Sequence, residues 1–165
     1  MKRWGVFICI ILLLLSSPFL SACGKTGTPS EILATFAERY PLPAGQFYDS
    51  SAQEGETGYF DPDLFGVIFG REDGGDDRED VATFSLFLGS SLTQACETGV
   101  FLCHDAESAL EVVGMLKSRI DLVKRLAGAD TAFCEGAFVR RYGKWVVYAI
   151  LPDNPKAART FDRLL

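Results

Sequence analysis

Hydrophobic and polar positions divide the chain into an apolar beginning and a patterned remainder. Residues 5–15 form an unbroken apolar run. Further along, apolar residues recur at intervals of three and four, and this pattern predicts helices over 31–40, 62–69, 106–127 and 155–165. Short runs rich in Val, Phe, Thr and Tyr predict strands over 81–88, 97–103, 132–140 and 144–151.

Polar residues next to these segments predict the helix boundaries. Ser30 is expected to cap the first helix, Asp61 the second and Asp105 the long third helix, because their side chains can accept hydrogen bonds from free N–H groups. Residues 42–58 lack a clear period and are expected to be irregular.

The order of the predicted elements indicates the fold class. Two helices precede a pair of strands, and the long helix separates this pair from a second pair that a closing helix follows. Strands in hairpin pairs predict an antiparallel sheet of about four strands with helices packed on one face, an α+β fold. The nearly continuous apolar run 145–151 is typical of a strand covered on both faces.

The residues that follow the first apolar run indicate export. Lys2 and Arg3 precede that run, and the small residues of Leu20-Ser21-Ala22-Cys23 end it. A basic start, an apolar core and a small-residue cleavage site define a secretory signal. The cysteine makes the site similar to the lipobox of bacterial lipoproteins, and that resemblance implies a diacylglycerol on Cys23 and cleavage before it.

Two other interpretations of the N-terminus are a plain secretory signal and an uncleaved membrane anchor. A transmembrane helix needs about 20 predominantly apolar residues, but serines and Pro18 dilute the segment after residue 15. The predicted organisation is therefore a signal peptide over 1–22, a lipidated cysteine and flexible tether over 23–30, and one α+β domain over 31–165.

Charge argues against two classes of partner for the mature chain. The sequence has 16 basic and 22 acidic residues, and removal of Lys2 and Arg3 with the signal leaves a net charge of −8. Nucleic-acid binding needs a basic surface, and so does adhesion to anionic lipid headgroups. The two acyl chains on Cys23 are therefore expected to hold the protein on the extracytoplasmic face of the cell membrane.

Three cysteines remain after residue 23. Cys96, Cys103 and Cys134 can form one disulfide and one free thiol, or three buried thiols, and we favour the unbridged form because a domain of this length can fold without a bridge. Cys103 and His104 are adjacent, so on a strand their side chains point to opposite faces and are poorly placed for a catalytic dyad. The sequence predicts no cofactor and no catalytic residue.

An acidic segment is the candidate metal site. Asp73, Asp76, Asp77 and Asp80 lie in a glycine-containing loop, and carboxylate oxygens are the ligands that calcium prefers. The spacing does not match an EF-hand, because the glycines precede most of the acids. A solvated loop without a metal is the favoured interpretation.

The turn of the last hairpin is the candidate partner-binding site. Arg141, Tyr142, Lys144 and Trp145 flank the predicted turn at Tyr142-Gly143, where a basic and aromatic tip could contact an acidic polymer or an envelope protein. A solvated turn is the favoured alternative.

The layout resembles a group of small Gram-positive lipoproteins that carry a domain of unknown function. The similar features are the lipobox, a Ser-Glu-Ile-Leu helix start, the helix that begins Asp105-Ala-Glu-Ser-Ala-Leu, and the hairpin from Phe138 to Tyr148. The similarity covers about residues 80–165. It implies surface location and a compact α+β fold, and no catalytic or binding residues.

The sequence thus predicts a membrane-anchored lipoprotein that acts as a non-enzymatic binding or assembly module, with a cell-envelope component as partner. An extracytoplasmic solute- or calcium-binding lipoprotein is the first alternative, and a cell-envelope hydrolase is the second.

Overall fold

The computed structural model describes residues 27–70, 77–90, 96–127 and 132–165. The predicted lipobox and signal peptide lie outside these ranges. Within them, no helix is long and apolar enough to cross a membrane. The helices are α1 (Pro29–Arg39), α2 (Pro62–Phe69), α3 (Ser108–Ala127) and α4 (Asn154–Asp162), and the strands are β1 (Gly45–Asp49), β2 (Val81–Gly89), β3 (Glu97–Cys103), β4 (Phe138–Tyr142) and β5 (Trp145–Ile150).

The strands form one open sheet in the order β1-β2-β3-β5-β4, and all neighbouring strands are antiparallel. The predicted α+β class is confirmed, with five strands rather than four. The additional strand is β1, within the segment 42–58 that was expected to be irregular. Its five residues carry little pattern of their own, and pairing with β2 makes them a strand.

Helices cover both faces of the sheet, so the prediction of helices on one face was wrong. Strand β5 shows why, because Val146, Tyr148 and Ile150 belong to one apolar cluster and the alternate residues Val147 and Ala149 to the other. Helices α2 and α3 pack on the first face, and α1 and α4 on the second. A strand that is apolar at every position needs cover on both sides.

Helix α1 begins two residues earlier than predicted. Thr28, not Ser30, is the N-cap, because its hydroxyl accepts a hydrogen bond from the Glu31 N–H at 3.2 Å. The Glu31 carboxylate accepts a hydrogen bond from the Thr28 N–H at 2.8 Å, which completes a capping box. The predicted roles of Asp61 and Asp105 are confirmed, since both carboxylates accept hydrogen bonds from N–H groups at the following helix start.

The closing hairpin is shorter than predicted. Residues 132–134 form a 3₁₀ turn, and β4 begins only at Phe138. Tyr142 pairs with Trp145, so the two turn residues are Gly143 and Lys144 rather than Tyr142 and Gly143. Gly143 has a φ of +64°, which glycine adopts without steric cost.

Candidate functional site

A groove of about 610 Å³ lies between helix α1 and strand β1. Its volume falls within the range of roughly 300–1,000 Å³ typical of ligand sites. Helix α1 supplies one wall and strand β1 the other, and the loop that follows β1 closes one end. The lining includes Ser30, Ala34, Ala37, Glu38, Phe47 and Asp49.

Strand β1 is an edge strand, and hydrogen bonds at its two ends show which of its residues face outward. The Ser50 N–H donates to the Phe84 carbonyl at 3.0 Å, and the Ser90 N–H donates to the Ala44 carbonyl at 3.0 Å. Because an antiparallel ladder bonds alternate residues, the even-numbered residues of β1 face β2. The main-chain groups of Gly45 and Phe47 therefore point away from the sheet.

The outward edge of β1 is only partly covered. The Asp49 N–H donates outward to the Gly58 carbonyl at 2.9 Å, which covers the end of the strand. Over the described ranges, no hydrogen bond reaches the outward N–H or carbonyl of Gly45 or Phe47. The Phe47 side chain is 45% exposed beside these groups. An apolar ring and unpaired main-chain groups thus occur together at the groove.

The opposite edge of the sheet differs in charge. Strand β4 carries Arg140 and Arg141, and charged side chains are a common means of preventing unwanted strand pairing at an edge. Strand β1, with the sequence Gly-Gln-Phe-Tyr-Asp, has no basic residue and no proline. The edge beside the groove is therefore the one that could accept another strand.

The charged groups of the groove are acidic. The Ser30 hydroxyl donates a hydrogen bond to the Asp49 carboxylate, whose other oxygen accepts one from the Ser51 N–H at 2.7 Å. These bonds join the start of α1 to the end of β1. Glu38 supplies a second carboxylate, and no basic side chain lines the groove among the described residues.

The predicted partner site at the hairpin tip is only partly exposed. Arg141 and Lys144 are exposed, and the Arg141 guanidinium donates to the Gly143 carbonyl at 3.0 Å. Tyr142 and Trp145 pack against the cluster beneath α4, and the Tyr142 hydroxyl donates to Asp162 at 2.5 Å. The two aromatic residues therefore have packing roles that account for their presence.

Half of the predicted metal site lies outside the described residues. Asp73 and Asp76 belong to the segment 71–76, and Asp77 and Asp80 form part of a 3₁₀ turn that leads into β2. Across the described ranges, no group of three metal-binding side chains occurs. The calcium site therefore stays a prediction.

The three cysteines are buried, unbridged thiols. Burial raises the pKa of Cys103 to about 11, with a further contribution from the charges of Asp80 and Asp105. A raised pKa keeps the thiol protonated and unreactive at neutral pH. His104 is exposed, and its main-chain N–H donates to the Asp80 carbonyl at 3.3 Å. The geometry agrees with the inference that Cys103 and His104 are not a dyad.

A buried ionic cluster beneath α3 was not predicted from the sequence. The Arg119 side chain donates to both carboxylate oxygens of Glu97, at 2.8 and 3.1 Å, and the Tyr148 hydroxyl donates to Glu97 at 3.0 Å. Burial, together with the neighbouring Glu97 charge, raises the pKa of Tyr148 well above its usual value.

Opposing effects act on Arg119 in this cluster. Burial disfavours its charged form, but the hydrogen bond and charge of Glu97 more than offset this effect and raise the pKa of the guanidinium. Arg119 and Tyr148 both donate to Glu97, so the cluster fixes α3 on the sheet and its groups are occupied with one another's charge and hydrogen bonds through Glu97. Glu97 lies on the same face of β3 as the core residues Phe101 and Cys103. This spacing was the sequence signal that could have indicated a buried carboxylate.

Comparison of the chain with protein-family models, curated proteins and solved structures finds no significant match. Function is therefore inferred from the geometry of the groove.

Proposed function

We propose that the protein is a lipid-anchored, extracytoplasmic binding module and that the groove beside β1 accepts an extended segment of a partner protein. The observation that carries this proposal is the unpaired outward edge of Gly45 and Phe47 beside the exposed Phe47 ring. An added strand gains affinity from main-chain hydrogen bonds and specificity from pockets for its alternate side chains.

The groove geometry suits this mode of binding. The outward Phe47 N–H can donate to a carbonyl of the incoming segment, and the alanines on the outer face of α1 leave space for a bulky side chain. The centres of the Phe47 and Phe87 rings lie 5.2 Å apart, so Phe47 packs on a buried core residue. A ligand side chain can therefore contact the Phe47 ring without first ordering it.

Charge indicates the chemistry of the partner. The carboxylates of Glu38 and Asp49 lie at the groove, and the mature chain is acidic as a whole. Complementary charge favours encounter with a basic segment and disfavours acidic ones. The expected partner segment is extended, with an aromatic or large aliphatic residue and at least one Lys or Arg.

The test uses the full chain in dodecyl maltoside and peptides selected from a random display library. N-methylation at successive positions of a selected peptide should weaken binding at every second position, because only alternate N–H groups of an added strand face β1. Loss of one such bond should weaken binding about tenfold, since a hydrogen bond contributes roughly 1.5 kcal/mol at most between neutral groups.

Two substitutions at one position separate main-chain from side-chain recognition. Phe47→Pro removes the outward N–H, and proline is tolerated on an edge strand when its nitrogen faces away from the sheet. Phe47→Val keeps the N–H and shortens the side chain, so it should retain more affinity than Phe47→Pro. Arg141→Ala, at the hairpin tip, should bind like the wild type.

Three results would contradict the proposal. The selection could yield no peptide that binds better than a scrambled sequence, the N-methyl scan could lack a two-residue period, or Arg141→Ala could weaken binding while Phe47→Pro does not. The last result would place the partner site at the hairpin tip. Circular dichroism of each variant excludes misfolding as the cause of lost binding.

The groove volume also favours a second candidate function, the binding of a small apolar solute. A solute would occupy the space beside the alanines without using the edge of β1. Binding would then be insensitive to Phe47→Pro but sensitive to Ala34→Leu, which fills the groove.

A further inference from the structure

A second pocket, of about 370 Å³, lies between the end of α1 and the outer face of α4. Its lining contains four cations and one hydroxyl, which are Arg39, Lys156, Arg159, Arg163 and Thr160. This concentration of positive charge is unexpected in a chain with a formal net charge of −6.

Antiparallel packing of α1 and α4 assembles this pocket from two distant parts of the chain. The Phe36 and Phe161 rings stack at 4.2 Å, and the Tyr40 hydroxyl accepts a hydrogen bond from the Asp153 N–H at 3.0 Å. The end of α1 therefore lies beside the start of α4. Arg39 lines the pocket together with residues of α4, and the Lys156 ammonium lies 5.5 Å from the centre of the Tyr40 ring.

Two carboxylates close in sequence to the pocket residues of α4 accept hydrogen bonds from other donors. The Asp153 carboxylate caps α4 by accepting a hydrogen bond from the Lys156 N–H at 2.9 Å. Asp162 accepts hydrogen bonds from Arg140 and Tyr142. In the described part of the chain, no carboxylate forms an ion pair with Arg39, Lys156 or Arg159.

Three of these cations, Arg39, Lys156 and Arg159, therefore share the pocket without an ion-pair partner among the described residues. Like charges placed together in this way repel one another, and a bound anion removes that cost. We propose that this pocket binds the phosphate group of a phosphate ester. Arginine guanidinium groups offer paired donors that match phosphate oxygens, and lysine adds a point charge. Cations of two helices approach the pocket, which suits a tetrahedral anion, and the volume leaves room for an organic substituent on the phosphate.

The phosphate can come from two sources, a membrane lipid headgroup or a water-soluble ester. Both present the same anion to Arg39, Lys156 and Arg159. The proposal does not depend on peptide binding at β1, because the two sites share no lining residue.

The test measures the thermal unfolding midpoint of the full chain in dodecyl maltoside, whose headgroup carries no phosphate. Inorganic phosphate should raise the midpoint relative to chloride at the same ionic strength, because a ligand that binds only the folded state stabilises it. The double substitution Lys156→Gln and Arg159→Gln should raise the phosphate dissociation constant at least about tenfold, since two charge-assisted hydrogen bonds are lost.

Lys124→Gln is the matched control, because Lys124 is an exposed cation on α3, on the other face of the sheet. It should keep the full response to phosphate. If phosphate and chloride act alike on the wild type, or if the double variant responds as the wild type does, the proposal is wrong. Line broadening of the ³¹P resonance of phosphate gives a second measurement that does not depend on the variant's stability.

Mixed micelles that contain phosphatidylglycerol separate the two sources. If the lipid headgroup occupies the pocket, the micelles should raise the midpoint of the wild type and reduce its response to added phosphate, with neither effect in the double variant. If soluble phosphate esters are the ligands, the response to inorganic phosphate should be unchanged by the lipid.

Discussion

The carboxylate of Glu97 is buried beneath α3, with only 4% of its side chain exposed, and Arg119 is its charged partner. Replacing one member of a buried ion pair leaves the other charge without compensation, which destabilises proteins by about 3–5 kcal/mol. We therefore expect Arg119→Leu to lower the free energy of unfolding by about 3 kcal/mol in urea titrations of the full chain.

Lys117→Leu on the same helix is the control, because Lys117 is exposed and should contribute less than about 0.5 kcal/mol. The double variant Glu97→Leu with Arg119→Leu should recover part of the loss, since it removes both charges. Equal stability of Arg119→Leu and Lys117→Leu would contradict the structural role of the ion pair.

Cys103 has no exposed surface, and burial raises the pKa of its thiol to about 11. The thiolate is the reactive form, so its population at pH 8 is small. Iodoacetamide should modify Cys103 at least about tenfold more slowly in the folded chain than in urea. Peptide mapping by mass spectrometry measures the rate at this residue alone. Fast labelling in the folded chain would revive the interpretation of Cys103 as a nucleophile.

Helix α1 depends on the capping box at its first turn for its start. Thr28→Ala removes the hydroxyl that accepts from Glu31, and loss of a cap destabilises a protein by about 1 kcal/mol. Urea unfolding should show this decrease, whereas Glu31→Gln should retain most of the stability because glutamine can also complete the box. A neutral Thr28→Ala would mean that tertiary packing alone fixes the start of α1.

The β4–β5 hairpin is joined to α4 through Asp162. Hydrogen bonds from Arg140 and Tyr142 lower the pKa of the Asp162 carboxyl. A lowered folded-state pKa stabilises the fold above the unfolded-state value of about 3.9, and that stabilisation is lost as the pH falls through the folded-state pKa. The contribution should be below about 1 kcal/mol, because the pair is exposed.

Asp162→Asn should therefore be slightly less stable than the wild type at pH 7, and the difference should shrink as the pH falls below the unfolded-state pKa of about 3.9. Thermal unfolding midpoints at a series of pH values measure this difference. A constant difference across that range would show that the carboxylate charge is not involved.

Elements with local chemical signals were predicted well, whereas those that depend on distant partners were not. The starts of α2 and α3 follow from Asp61 and Asp105, whose caps involve only neighbouring residues. Strand β1 forms because β2 lies beside it, and β2 is about 40 residues further along the chain. Ser30 was predicted as a cap from its position next to the helix. Its hydroxyl instead donates to Asp49, a contact that exists only in the folded chain.

At the scale of the whole molecule, the sheet is covered on both faces and its two edges differ. The edge at β4 is charged, and the edge at β1 borders the candidate groove. Charge is also uneven, because an acidic chain concentrates four cations in the pocket beside α4. Neither contrast can be read from composition, since both arise from the way that the helices pack on the sheet.

The predicted membrane attachment through Cys23 has its own test. Cys23→Ser should abolish incorporation of labelled fatty acid and leave the precursor uncleaved, because the thiol is the expected acceptor of the lipid. Mass spectrometry of the purified protein measures both effects. A processed, water-soluble form of the variant would indicate a plain secretory signal instead.

The sequence by itself determined the α+β class and the caps at Asp61 and Asp105, because periodicity and capping act between residues close in the chain. The export signal over 1–22 stays a prediction. Tertiary structure decided that helices cover both faces, that β1 is an edge strand, and that Glu97 meets Arg119. It also assembled the groove and the basic pocket from segments that are distant in sequence. Such sites depend on packing between elements, and no local pattern encodes which elements will meet.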